Sequence, residues 1–158
     1  MRRFHRTDKR TWSLLDGQGA VLGSLVRTKW HGMGAEIVVA QGIHEVRSMK
    51  GFTSKIAVFS GDHALRVASY RWDSITITDP QGSSPTITVR RKSIFSGTFL
   101  IKIGDQVHAQ LRMRVKWKRF DMEPVLIADT DKEIDPLTLL FIVRALQVQQ
   151  HRAAGAVV

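Results

Sequence analysis

Most of the chain consists of short apolar or alternating runs broken by turn residues. Residues 11–15 lead through Asp16-Gly17-Gln18-Gly19 into 20–30. Residues 56–59 lead through Ser60-Gly61-Asp62 into 64–72, and 98–103 through Gly104-Asp105 into 107–117. Two such runs joined by a Gly-containing turn are the signature of a β-hairpin. Further strands are predicted at 36–39, 44–48, 74–78, 86–90 and 125–128, with a loop at 79–85. The three hairpins, 11–30, 53–72 and 98–117, are each 20 residues long, and each starts with Thr. They end in Lys29-Trp30, Arg71-Trp72 and Lys116-Trp117, and successive starts lie 42 and 45 residues apart. Three units of about four strands give about twelve strands, too few blades for a propeller.

The pattern changes after residue 134. Asp135 is a good N-cap and Pro136 suits the first helical position. Residues 137–148 then read LTLLFIVRALQV, apolar at nearly every angle around a helix axis. Such a helix must be covered on all sides. Its rise of about 18 Å is well short of a hydrocarbon core of about 30 Å, and Arg144 in its middle opposes insertion further. A strand of about six residues spans about 20 Å, and barrels wider than about eight strands can hold a central helix. The fold class expected is therefore mainly β: a closed antiparallel barrel of about 12 strands around a buried hydrophobic C-terminal α-helix. One domain is expected over 1–158, with strands over about 10–129 and the helix over about 136–150.

Composition narrows the setting. At 158 residues and 43% hydrophobic, the chain is long and apolar enough for one core, which excludes a disordered tail. It has no cysteine, so disulfides, thiolate metal sites and cysteine nucleophiles are excluded. No apolar run reaches the length of a membrane-spanning helix. The basic start, 1–12, has no apolar segment of secretory type, so a cytoplasmic protein, peripheral at a membrane, is expected.

The hairpin 12–30 with its Asp16-Gly17-x-Gly19 turn resembles the tubby-like superfamily of tubby C-terminal domains, LURP-one-related proteins and phospholipid scramblases. So do the strand Lys116-Trp117-Lys118 and the run Ile127-Ala128-Asp129 leading into 137–148. The likeness is one of order and shape over nearly the whole chain, and it is strongest to compact bacterial members. It implies a twelve-stranded barrel around a hydrophobic helix. It further implies phosphoinositide binding through basic residues on the outside of the barrel, as in tubby domains. The scramblases' acidic calcium-binding segment lies where this chain has Asp129, Asp131, Glu133 and Asp135.

The strongest chemical signal is LRMRVKWKRF over 111–120. On a strand, Leu111, Met113, Val115 and Trp117 face one way, and Arg112, Arg114, Lys116 and Lys118 face the other, with Arg119 next to them. That ridge suits an anionic surface, either lipid headgroups or nucleic-acid phosphates. It is equally what a solvated outer strand uses to prevent edge pairing. Arg90-Arg91-Lys92 and the leader cations Arg2, Arg3, Arg6, Lys9 and Arg10 extend the basic surface, and the formal charge is +10. The alternating carboxylates of 129–135 are oxygen ligands of the hard-cation type, but they lack the Gly and the terminal Glu of an EF-hand loop, so no metal is assigned. The six His are scattered, with no HExxH and no GxSxG elbow, so no catalytic residue, enzyme activity or cofactor is expected. Trp12, Trp30, Trp72 and Trp117 are expected in the core or barrel wall.

The leading expectation is a non-catalytic, monomeric barrel that binds anionic phospholipid headgroups or tethers a partner at a membrane surface. A nucleic-acid-binding module using the basic strand face is the alternative, and a lipocalin-like carrier of small ligands is the second.

Overall fold

A computed structural model describes residues 1–28, 34–49, 55–116, 121–130 and 133–155. Its strands are β1 (Arg3–Asp8), β2 (Thr11–Leu15), β3 (Val21–Arg27), β4 (Ala35–Val39), β5 (Gly42–Ser48) and β6 (Lys55–Ser60). They continue as β7 (His63–Tyr70), β8 (Ser74–Thr78), β9 (Ile87–Arg91), β10 (Thr98–Ile103), β11 (Gln106–Lys116) and β12 (Asp121–Asp129), and one helix follows, α1 (Pro136–Gly155). Each strand pairs antiparallel with the next, giving one twelve-stranded sheet in sequence order. This up-and-down path needs only local connections. The turns predicted at Gly19, Gly61 and Gly104 are the β2–β3, β6–β7 and β10–β11 connections, and all three glycines have positive φ, which a side chain would oppose.

The sheet curls into a nearly closed barrel, and the helix is enclosed by it. Leu139, Leu140, Phe141, Ile142, Val143, Ala145 and Leu146 are all fully buried, and these positions cover the whole circumference of a helix. Inward-facing residues of the wall meet them, among them Leu14, Ile37, Val46, Ile56, Val58, Ile75, Ile101 and Leu111. At Gly23 in β3 the helix comes so close that an added Cβ would lie 2.9 Å from Leu140 Cδ1. The Asp135 cap forms as expected: its carbonyl accepts from Leu139 N at 3.0 Å, and its carboxylate accepts from the Thr138 hydroxyl. The helix runs to Gly155, a turn beyond the predicted end.

The strand the sequence did not announce is β1. Its segment, RFHRTD, has few β-branched or apolar residues and reads as part of a basic leader. Pairing with β2 makes it a strand all the same. Arg2, expected on a basic surface, is instead buried just ahead of it. Its guanidinium donates from Nε to Asp129 Oδ2, from Nη2 to Asp129 Oδ1 and from Nη1 to the Ile134 carbonyl, each at 2.7 Å. Asp129 ends β12, so this fork ties the first strand to the last and both to the segment entering the helix. The β12 edge along this seam contains Pro124, which cannot complete a ladder and is suited to an edge strand.

Candidate functional site

An antiparallel meander sends alternate connections to opposite ends of the barrel. The β2–β3, β4–β5, β6–β7, β8–β9, β10–β11 and β12–α1 connections share the end at which the helix enters. The β1–β2, β3–β4, β5–β6, β7–β8, β9–β10 and β11–β12 connections share the other end, from which the helix emerges. Helix contacts confirm the direction. Thr138 near its start lies by Ile77 and Ile87, whereas the Tyr70 hydroxyl at the far end of β7 donates to the Ala145 carbonyl at 2.8 Å. The Arg152 guanidinium lies 5.2 Å from the centre of the Tyr70 ring. Burial holds the Tyr70 hydroxyl above its usual pKa, with the Arg152 and Arg144 charges opposing.

The two ends differ in charge. The entry-end connections carry Asp16, Asp62, Asp79, Asp105, Glu133 and Asp135 and, among their described residues, no Lys or Arg; the cations beside them are the N-terminal amine and Arg3 at the β2–β3 turn, the buried Arg2, and Arg66 next to Asp79. The exit-end connections carry Lys9, Arg10, Arg71 and Lys92, with Arg91 ending β9 and Arg152 in the last turn of the helix. Of the carboxylates there, Asp8 accepts from Arg10 N at 2.7 Å, and Asp73 pairs with Arg90 at 3.2 Å. The Arg10 amide, opposed by desolvation and aided by the Thr11 hydroxyl, holds Asp8 below its usual carboxylate range.

The predicted ridge lies on the outside of the barrel. Leu111 and Met113 point inward and Arg112 and Arg114 outward. Val115, expected on the apolar face, is half exposed. The register shows what the sequence did not: Arg114 stands directly opposite Glu123, and Lys116 opposite Asp121. An acidic residue directly across the ladder partly offsets the field at Arg114. Arg112 faces Thr98 on one side and Val125 on the other, neither of them charged. Lys118 and Arg119 lie outside the described residues, as do Asp131, Trp30 and Trp117.

The acidic run does not gather into one ligand set. Asp129 is held by Arg2, Asp135 caps the helix, and Glu133 lines a cleft of about 70 Å³ with Arg66, Ser84 and Thr138. That volume has room for a few waters. No group of three metal-ligating side chains occurs among the described residues. Beside the cleft, the Asp79 carboxylate accepts from Ser83 Oγ at 2.7 Å and Gln81 N at 2.9 Å, with Arg66 3.7 Å away. The Ser83 hydroxyl first, then the Gln81 amide, hold Asp79 below its ordinary value against desolvation.

Arg144 is buried in the exit half of the interior, where its Nη1 donates to Gln147 Oε1 at 3.3 Å. Desolvation, with Arg27 adding like charge, brings its pKa down to about 10. Asp129 is not its partner: that carboxylate is held by Arg2 at the entry end of the barrel.

A second sequence expectation fails, and it marks the exit end. Trp12 is buried in the wall, but Trp72 is 96% exposed. On the neighbouring connection Ile94 is 81% and Phe95 94% exposed. Neither side chain stood out in the sequence, because each sits in a short polar context that reads as a turn. No helix among the described residues is long and apolar enough to cross a membrane. No family model, curated protein or solved structure matches this chain.

Proposed function

We propose that this protein is a non-catalytic barrel of tubby-like type that docks on anionic phospholipid surfaces with its exit end. The observation carrying this reading is the segregation of charge, with carboxylates on the connections of one end and cations on those of the other. A barrel so polarised has an orientation in the field of an anionic leaflet, with Lys9, Arg10, Arg71 and Lys92 toward the headgroups. The twelve-stranded wall around an apolar C-terminal helix supports the family reading. Because that helix fills the interior, a carrier of small ligands inside the barrel finds no support.

Nucleic acid offers the same phosphate charge. Single-strand binders use a groove that tracks the backbone, whereas the described cations of the exit end stand on separate turns. Sedimentation with phosphatidylcholine vesicles, with and without phosphatidylserine, tests the reading. Binding is expected only with phosphatidylserine and should fall as salt rises. At about 1 kcal/mol per cation near the surface, neutralising Arg71 and Lys92 together weakens binding about thirtyfold. Arg112→Glu with Arg114→Glu changes the charge by two units per residue and should weaken binding at least as much. A wild-type protein that ignores phosphatidylserine vesicles at low salt would end the proposal.

A further inference from the structure

Two adjacent exit-end turns present large apolar side chains where turns ordinarily place Gly, Asn, Asp, Ser or Pro. Arg71 N donates to the Ser74 carbonyl at 2.9 Å, closing the β7–β8 hairpin with Trp72 and Asp73 at its tip. Ser96 N donates to the Ser93 carbonyl at 3.1 Å, closing a second turn with Ile94 and Phe95 at its corners. Both turns are held firmly. Thr98 N donates to Ser96 Oγ at 3.0 Å, Lys92 N to the Thr98 carbonyl at 2.8 Å, and Met113 N to the Gly97 carbonyl at 3.0 Å. Arg90 on β9, the strand that leads to the second turn, reaches Asp73 at 3.2 Å. The turns join β7 to β8 and β9 to β10, so their tips stand about two strand spacings, roughly 10 Å, apart.

We infer that Trp72, Ile94 and Phe95 form a two-pronged wedge that inserts into the headgroup–acyl boundary of an anionic bilayer. The inference rests on the proposed docking and adds the part of the site that enters the lipid. Exposed side chains this large, on fixed turns, have no packing role in the barrel. Trp suits the interfacial layer, where its amphipathic ring is half solvated, and Phe and Ile suit the acyl side of that boundary. Arg71 and Lys92 flank the apolar corners and face lipid phosphates when the corners are immersed. The exposed Arg112 runs up to the base of the second turn, opposite Thr98. The charge therefore selects a bilayer rather than a neutral apolar partner.

The absence of cysteine allows a direct test. Ile94→Cys carries an environment-sensitive fluorophore, and Asp62→Cys at the entry end serves as the control. On phosphatidylserine-containing vesicles, the label at 94 is expected to shift to the blue and be quenched by bromine-bearing acyl chains, while the label at 62 stays in water. Trp72→Ala and Phe95→Ala are each expected to weaken vesicle binding about tenfold without changing its salt dependence. Lys92→Glu is expected to change the salt dependence. An unchanged urea midpoint shows that the alanine variants keep the fold. Protein that sediments while the label at 94 stays in water overturns the wedge but not the electrostatic docking, and failure to sediment at low salt overturns both. Oligonucleotide that shifts the label at 94 at lower concentration than vesicles do assigns the tips to nucleic acid and also overturns the wedge.

Discussion

Replacing Arg2 by Met separates the two ends of the sheet. The substitution keeps most of the side-chain length and removes three donors, two to Asp129 and one to the Ile134 carbonyl. Both side chains of the pair are almost wholly buried, at 5% and 1% exposure, so solvent cannot take over for the lost partner. Removing one member of a buried ion pair costs about 3–5 kcal/mol, most of it the charge left behind. On a total of about 5–15 kcal/mol that is about a fifth or more of the stability, and it lowers Tm by roughly 10 °C. Urea unfolding followed by far-ultraviolet circular dichroism measures it directly. The companion variant Arg2→Met with Asp129→Leu removes both charges and should recover most of the loss, since an apolar pair of similar volume replaces a buried ion pair at little cost. A single variant losing less than about 1 kcal/mol, or a double variant no better than the single, would refute the role of this pair in closing the seam.

Gly23→Val drives a side chain into Leu140, Val39 and the Val38 carbonyl, and should cost about 1–3 kcal/mol in the same unfolding assay, because one of those neighbours is backbone. Tyr70→Phe removes the hydroxyl that reaches the Ala145 carbonyl and should cost about 1 kcal/mol, with the fold intact by circular dichroism. Asp79 titrates below its ordinary 3.8, so its contribution to stability is complete above that value and is lost as pH falls through the lowered one. Carboxyl NMR should show Ser83→Ala moving the Asp79 titration upward and flattening the acid-side loss of stability.

The fold was legible wherever local physics decides. Eleven strands announce themselves by alternation and Gly turns, and the helix by an apolar circumference that only a closed wall can cover. Strand β1 was not legible, because pairing with β2 overrides a segment of poor propensity. Nor was the burial of Arg2, whose partner lies 127 residues away. The ridge on β11 was read correctly for the side that Arg112 and Arg114 face, but its strength depends on register, and Glu123 opposite Arg114 is invisible without the pairing. Trp72 misled because aromatic residues usually signal core, whereas its place at a turn corner is fixed by where β7 stops. The ends of the barrel could have been sorted in principle. The Gly-Asp turns fall on one set of alternate connections and the Lys- and Arg-bearing ones on the other, but the sorting needs the strand count to be right, and a missed β1 leaves that parity without an anchor.

Hydrogen–deuterium exchange with and without phosphatidylserine-containing vesicles tests most directly that a helix-filled barrel meets the membrane with one end. Peptides spanning 71–73 and 92–97 should gain protection on vesicles. Those spanning 16–19, 61–62 and 104–105 should not change, and the helix at 139–146 should exchange slowest in both conditions. Protection gained at the Asp-rich end instead, or rapid exchange within 139–146, would contradict the account.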